Sequence, residues 1–385
     1  MMVVVPYVRT VISIVMSESK TSPITMAISR SLPRLAAATT KVSSFGFSGA
    51  GFLAAYHLGV AKCLMEQEIL SPAGVHSSAS YPAVALTGVS AGAIVSAAVS
   101  AGVDPDDGLK AVMKVAQRTR AAGGYLDAFS PNCSLIDLAE EHLGSLIRDA
   151  VYQDEECFLE RINRGSLLRI GLTDRRVFPP VGQNPKAACY SDTYASVDEV
   201  LAACVLSSYV PGITGPALGS LDSRYSAVMR AATVLQEMIA AGSVKKTLTG
   251  EPIQAAVSNS DESNDLKGET PQTREVCWDG GLVNAFPYID KDTVIVSPLA
   301  ATVAPNATIN PSVEYDSSSD HNSTSLFRVN DRIQLHLTAA NAHTLRCIAM
   351  SSEDDVLQSR FAQGHDNAYN WLQRHNLVMV HHHVA

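Results

Sequence analysis

The 385-residue chain has no Cys-x-x-Cys pair, and its seven cysteines (63, 133, 157, 189, 204, 277 and 347) are odd in number and widely spaced. That pattern argues against a disulfide framework and a zinc site. It suits a reducing compartment, with the thiols as small buried hydrophobes. Positive charge is short as well: 29 Lys and Arg face 38 Asp and Glu, a formal net charge of −9. A nucleic-acid partner has no electrostatic footprint here, nor does a polybasic membrane clamp, so any lipid contact has to be largely apolar. Long unbroken apolar runs are missing too. Stretches 83–103 and 200–221 lack formal charges, but the first holds Gly88, Gly92 and Gly102, and the second Pro211, Gly212, Gly215 and Pro216. A membrane span needs ~20 predominantly apolar residues, and these turn formers assign both stretches to a soluble α/β core.

What is present is globular composition, 46% hydrophobic and 17% charged, with ample core material. Residues 1–41 stand apart. They contain one acid, Glu18, against Arg9, Lys20, Arg30, Arg34 and Lys41, and are rich in Ser and Thr. This composition suits an organelle targeting peptide; the alternatives are a poor signal peptide, a disordered leader, or translation that starts at Met16 or Met26.

Beyond the leader, residues 41–47 are β-compatible and run into Ser48-Gly49-Ala50-Gly51. From 52 to 70, Phe52, Ala55, Tyr56, Gly59, Val60, Cys63 and Leu64 recur at helical spacing. Residues 83–89 read as a buried parallel strand that breaks at Gly88-Val89-Ser90-Ala91-Gly92 and resumes as an alanine-rich helix to about 101. Amphipathic helices are expected over 106–120, 134–148 and 154–164, strands over 166–173 and 187–191, and a helix over 196–208. Residues 258–275 read as a polar surface insertion. Short strands at 275–278 and 293–296 flank Asp279-Gly280-Gly281. A polar stretch, 304–325, precedes helices over 331–350 and 354–374. The alternation implies an α/β fold with a mostly parallel central sheet and helices on both faces. The domain division is a leader (1–41), a catalytic domain (42–300) and a polar linker with a C-terminal helical extension (301–385).

Gly88-Val89-Ser90-Ala91-Gly92 fits the nucleophile elbow, a sharp strand-to-helix turn that lifts a serine hydroxyl above the sheet and needs small flanking residues. Ser48-Gly49-Ala50-Gly51, also between strand and helix, points backbone N–H groups outward where an oxyanion could be stabilised. A dinucleotide fingerprint would want glycine at position 54, which is Ala54, and an acid where the serine elbow sits. Asp279-Gly280-Gly281 could bring a carboxylate to a neighbouring turn, although on spacing alone an ordinary Asp-Gly turn is the simpler reading.

These three pieces, in this order, resemble the patatin-like phospholipase family, and most closely its adipose triglyceride lipase branch. The likeness runs through 47–60 (Phe-Ser-Gly-Ala-Gly-Phe-Leu-Ala-Ala-Tyr-His-Leu-Gly-Val), the elbow Gly88–Gly92, Val205–Gly215, Asp279-Gly280-Gly281 with Pro287, and 293–298. The resemblance implies a patatin-like three-layer fold and a Ser–Asp dyad without histidine. Ser90 is then the nucleophile, Asp279 the general base, and the amides of Gly49, Ala50 and Gly51 the oxyanion hole, with no metal and no cofactor. Burial should raise the Asp279 pKa to suit its task. The implied activity is hydrolysis of lipid acyl esters through an acyl-enzyme, on a substrate held at a membrane or lipid-droplet surface. An intracellular, peripheral location and a protein co-activator go with it. Two rival readings are a conventional Ser-Asp-His hydrolase using His336 or His343, and a silent lipid-binding scaffold. His57, beside Tyr56, is expected to be a packed helix residue.

Overall fold

The computed structural model describes residues 42–70, 84–122, 134–174, 185–211, 213–215, 226–247, 249–253, 277–303, 308–311, 326–328, 333–336 and 338–378. The leader, the polar insertion 258–275 and nearly all of 304–325 lie outside them. Short apolar strands build the sheet: β1 (Ser44–Phe47), β2 (Ala85–Gly88), β3 (Leu168–Thr173), β4 (Ala188–Ser191), β5 (Val244–Lys246), β6 (Trp278–Asp279) and β7 (Val294–Val296). After β8 (Ala301–Val303), β9 (Thr308–Ile309) completes it. The order is β5-β4-β3-β2-β1-β7-β9, with β6 on β3. Strands β3, β2, β1, β7 and β9 run parallel, and β4 and β5 extend one edge antiparallel. This is the mostly parallel α/β sheet expected, flanked by helices. A smaller antiparallel sheet joins β8 to β10 (Leu326–Arg328) and β11 (Ile333–His336).

Register decides what meets at the sheet's edge. Strand β2 stops at Gly88, opposite Ile170, whereas β3 continues to Thr173. The lane β2 vacates is taken by antiparallel β6, which pairs Leu172 with Asp279. The chain leaving β2 therefore meets the chain leaving β6 head on.

Helices α1 (Ala54–Glu66), α2 (Ala91–Ala101) and α3 (Pro105–Ala121) follow the first strands. Asp104 caps α3 by accepting the Asp106 N–H, with Pro105 in the first turn. The helix expected over 134–148 is broken into α4 (Leu135–Ala139), a π turn (Glu140–Gly144) and α5 (Ser145–Val151), and α6 (Glu155–Asn163) leads to β3. Helix α7 (Val197–Ser207) is capped by Ser196, α8 (Ser226–Ala240) follows, and short α9 (Gly281–Asn284) follows β6. One hydrophobic cluster packs β3 with α7 and α8; the other packs β1 and β7 with α1 and α3, and α2 serves both.

The helix expected over 331–350 is shorter. Residues Ile333–His336 are drawn into the small sheet, and the Thr338 side chain accepts the Asn341 N–H to start α10 (Ala339–Ala349). Helix α11 (Asp354–Arg374) lies against α1 at backbone contact. A Cβ added at Gly59 would stand 1.9 Å from the Phe361 carbonyl oxygen, and one at Gly364 would stand 2.1 Å from that of Tyr56. Only glycine permits this approach.

Candidate active site

Between β2 and α2, Ser90 adopts φ 54° and ψ −132°, a conformation L-residues rarely occupy and one that costs about 1–3 kcal/mol. Neighbouring glycines make the turn possible. A Cβ at Gly88 would lie 2.2 Å from the Gly92 carbonyl oxygen, and one at Gly92 would lie 2.3 Å from that of Phe47. Hydrogen bonds hold the turn. The Ser90 N–H donates to Ser207 Oγ at 2.9 Å, and that hydroxyl donates to the Gly171 carbonyl at 2.7 Å. At the start of α2, the Ala93 N–H donates to the Ser90 carbonyl at 2.9 Å.

Asp279 arrives from the other direction and is 6% exposed. Its carboxylate lies close enough to the Ser90 side chain for the serine to act on its titration, and Oδ1 accepts the Gly281 N–H at 2.6 Å. The main chain is pinned on three sides. Asp279 N–H donates to the Tyr209 carbonyl at 3.0 Å, Gly280 N–H donates to that of Ser207 at 3.2 Å, and Thr173 Oγ1 donates to the Asp279 carbonyl at 2.8 Å. Burial pushes the Asp279 pKa up from 3.8 to about 6, against the hydrogen bonds from Ser90 and Gly281, which favour the ionised form. The glycines serve approach here as well, since a Cβ at Gly280 would stand 2.2 Å from the Gly171 carbonyl oxygen.

Ser207 is the residue sequence reasoning missed. Fully buried at the end of α7, it bonds the elbow through its hydroxyl and the aspartate segment through its carbonyl. Its signal in the sequence is only a serine in the last turn of a predicted helix, which any C-terminal serine would give.

The glycine turn faces the elbow: a Cβ built on Gly49 would lie 3.6 Å from Ser90 Cβ. Its three candidate amides are not equivalent. Gly49 N–H is committed to the Ala285 carbonyl at 3.2 Å, while Ala50 and Gly51 N–H have no acceptor among the described residues. Gly51, at φ 51°, lies so close to α10 that a Cβ would stand 2.1 Å from the Ile348 carbonyl oxygen. His57 braces the turn from below. It is fully buried, and Nε2 lies 2.9 Å from the Ser48 carbonyl. Because a carbonyl can only accept, Nε2 carries the proton. Burial lowers the His57 pKa to about 4, against the Ser48 hydrogen bond, so the ring is neutral near pH 7. As expected, it is a packed, hydrogen-bonded helix residue.

Next to Ser90 opens a cleft enclosing about 690 Å³ of empty space, part of it open to solvent. Leu58, Ile94, Val95, Ala98, Val112 and Leu143 are among the apolar side chains that line it. The two histidines weighed for a triad are elsewhere. His336 ends β11, and His343 on α10 sits 3.5 Å from Cys347 Sγ. Neither is bonded to Asp279.

Chemically, a serine on a sharp strand-to-helix turn, a buried carboxylate beside it, amides opposite that have no acceptor among the described residues and an apolar cleft together suit attack on an ester of an apolar acid. In comparisons with known proteins, no curated protein and no solved structure matches. The family model described as patatin-like phospholipase matches residues 47–290, a span that holds the glycine turn, the elbow and Asp279. With well over half of its length matched, the chain belongs to the patatin-like phospholipase family.

Proposed function

We propose that the protein hydrolyses acyl esters of lipids, triacylglycerols or phospholipids, through a Ser90–Asp279 dyad. The observation that carries this reading is the buried Asp279 carboxylate close enough to the Ser90 side chain for the serine to act on its titration, with no imidazole among the groups that do. Ser90 Oγ attacks the ester carbonyl while Asp279 takes its proton. A base whose pKa is near 6 is largely ionised at neutral pH yet basic enough for the transfer. The tetrahedral oxyanion accepts hydrogen bonds from the Ala50 and Gly51 amides, the two that are uncommitted. Collapse expels the alcohol, which takes the proton back from Asp279 and leaves an acyl-enzyme. Water, deprotonated by Asp279, then releases the fatty acid and restores Ser90.

The apolar cleft supports a long acyl chain, since each buried methylene contributes about 0.8 kcal/mol. It equally supports uptake of substrate from a membrane or lipid-droplet surface by a peripheral protein. No helix among the described residues is long and apolar enough to cross a membrane. Placement in the adipose triglyceride lipase branch rests on the motifs at 47–60 and 205–215. The test is a panel of lipid classes incubated with purified protein, with products identified by mass spectrometry. Free fatty acid should be released by the wild type and not by Ser90→Ala; equal release by both would refute the reading.

A further inference from the structure

A second, smaller apolar pocket, whose roughly 320 Å³ of empty space includes open solvent, adjoins the first. Ile94, Ile136, Ala139 and Ser208 line both, so these residues form a shared wall. The first cavity continues along α2 past Val95 to Ala98, about 12 Å beyond Ser90 at helical rise. The second turns aside beneath the π turn, between Gly144, Ile147, Leu201, Cys204 and Val205. Ile94 stands one turn beyond Ser90, about 6 Å along the helix, where an acyl chain held at Ser90 would first meet the wall.

We propose that Ile94 and Ile136 are specificity-determining residues that set the longest acyl chain accepted, by closing the main cleft off from this second cavity. This inference rests on the acyl-hydrolase reading. Both are β-branched, with little freedom at χ1, so the partition is stiff. Gly144 supplies an independent argument. Its backbone is ordinary right-handed helix (φ −63°, ψ −39°), so the fold does not require glycine there. An added Cβ would meet Glu140 Cγ at 3.3 Å, Arg148 Nη1 at 3.7 Å and Leu201 Cδ2 at 3.8 Å, so only the flexible Glu140 side chain would have to give, by a few tenths of an ångström. Glycine at this position therefore presents no side chain to the second cavity that it lines. A π turn, which interrupts regular helix packing and often marks functional sites, roofs that volume.

The test is kcat/KM for a graded series of straight-chain esters, read as the ratio of long to short substrates. Ile136→Ala should move the upper length limit outward and raise the ratio about fourfold for each additional methylene buried. Ile94→Ala removes the same wall from the other side and should act alike, which covers the case in which one variant does not fold. Adding Gly144→Leu to Ile136→Ala fills the second cavity and should return the ratio toward wild type. Calorimetric binding of straight-chain fatty acids to Ser90→Ala, with and without the wall substitutions, reads the same limit without turnover. The wall can thus hold even if hydrolysis is not found. An unchanged length limit in folded Ile94→Ala or Ile136→Ala, by turnover and by binding, would overturn the inference.

Discussion

Replacing Asp279 by Asn should make the protein more stable while destroying its activity. In the folded chain, burial raises this carboxyl from 3.8 to about 6. That displacement corresponds to about 3 kcal/mol of preference for the neutral form. The sign follows from proton counting. Between about pH 4 and pH 6 the folded protein holds a proton that the unfolded chain has released, so stability falls as pH rises through that window and stays lower above it. Asparagine never ionises, and its Oδ1 can keep the Gly281 N–H bond. Below about pH 4, Asp279→Asn and wild type should be nearly equal in stability. Above about pH 6 the variant should lead by up to about 3 kcal/mol, or about 4 °C in Tm for a protein of this size. Urea unfolding of both proteins at several pH values measures the difference. A variant no more stable than wild type at about pH 7.5, or a difference that does not change with pH, would refute the reasoning. In parallel, wild-type kcat/KM should fall as pH is lowered through about 6, because the base is then protonated.

Ser207→Ala leaves the Ser90 N–H without its acceptor, a loss of about 1–3 kcal/mol, and should lower kcat much more than it changes KM. Ser207→Thr, which keeps the hydroxyl, should recover part of it, and steady-state kinetics separate the two. Gly51→Val should abolish ester hydrolysis, because both its positive φ and the Ile348 carbonyl oppose a side chain; folded, active protein would show that the turn tolerates one. Gly59→Val forces α11 away from α1 and should cost about 3 kcal/mol or more in urea unfolding. A loss near zero would mean that α11 does not hold α1.

The strand-to-helix turn that carries Ser90 is legible in the sequence because its constraints are local. Gly88 and Gly92 are demanded by the backbone around Ser90, and the apolar run before them can only be a buried strand. Asp279 was legible through resemblance rather than physics. Its place depends on β6 occupying the lane that β2 leaves, a long-range register no local pattern records. Ser207 was invisible for the same reason, since its partners Ser90 and Gly171 are 117 and 36 residues away. The π turn at Glu140–Gly144 leaves no mark in the sequence, because the apolar spacing around it stays helical. The sequence pattern predicts helix at 333–336, where pairing with β8 and β10, not propensity, makes a strand. Nothing in the local sequence of the turn reveals that the Gly49 N–H donates to the Ala285 carbonyl.

The pH dependence of covalent labelling tests the dyad most directly. A fluorophosphonate probe reacts with an activated serine, so the modified peptide identifies the nucleophile and the labelling rate reports its base. The adduct should fall on Ser90, with a rate that rises through about pH 6, is nearly lost in Asp279→Asn and is kept in His336→Ala and His343→Ala. An adduct on another residue, or a folded histidine variant as unreactive as Asp279→Asn, would contradict the assignment of Ser90 and Asp279.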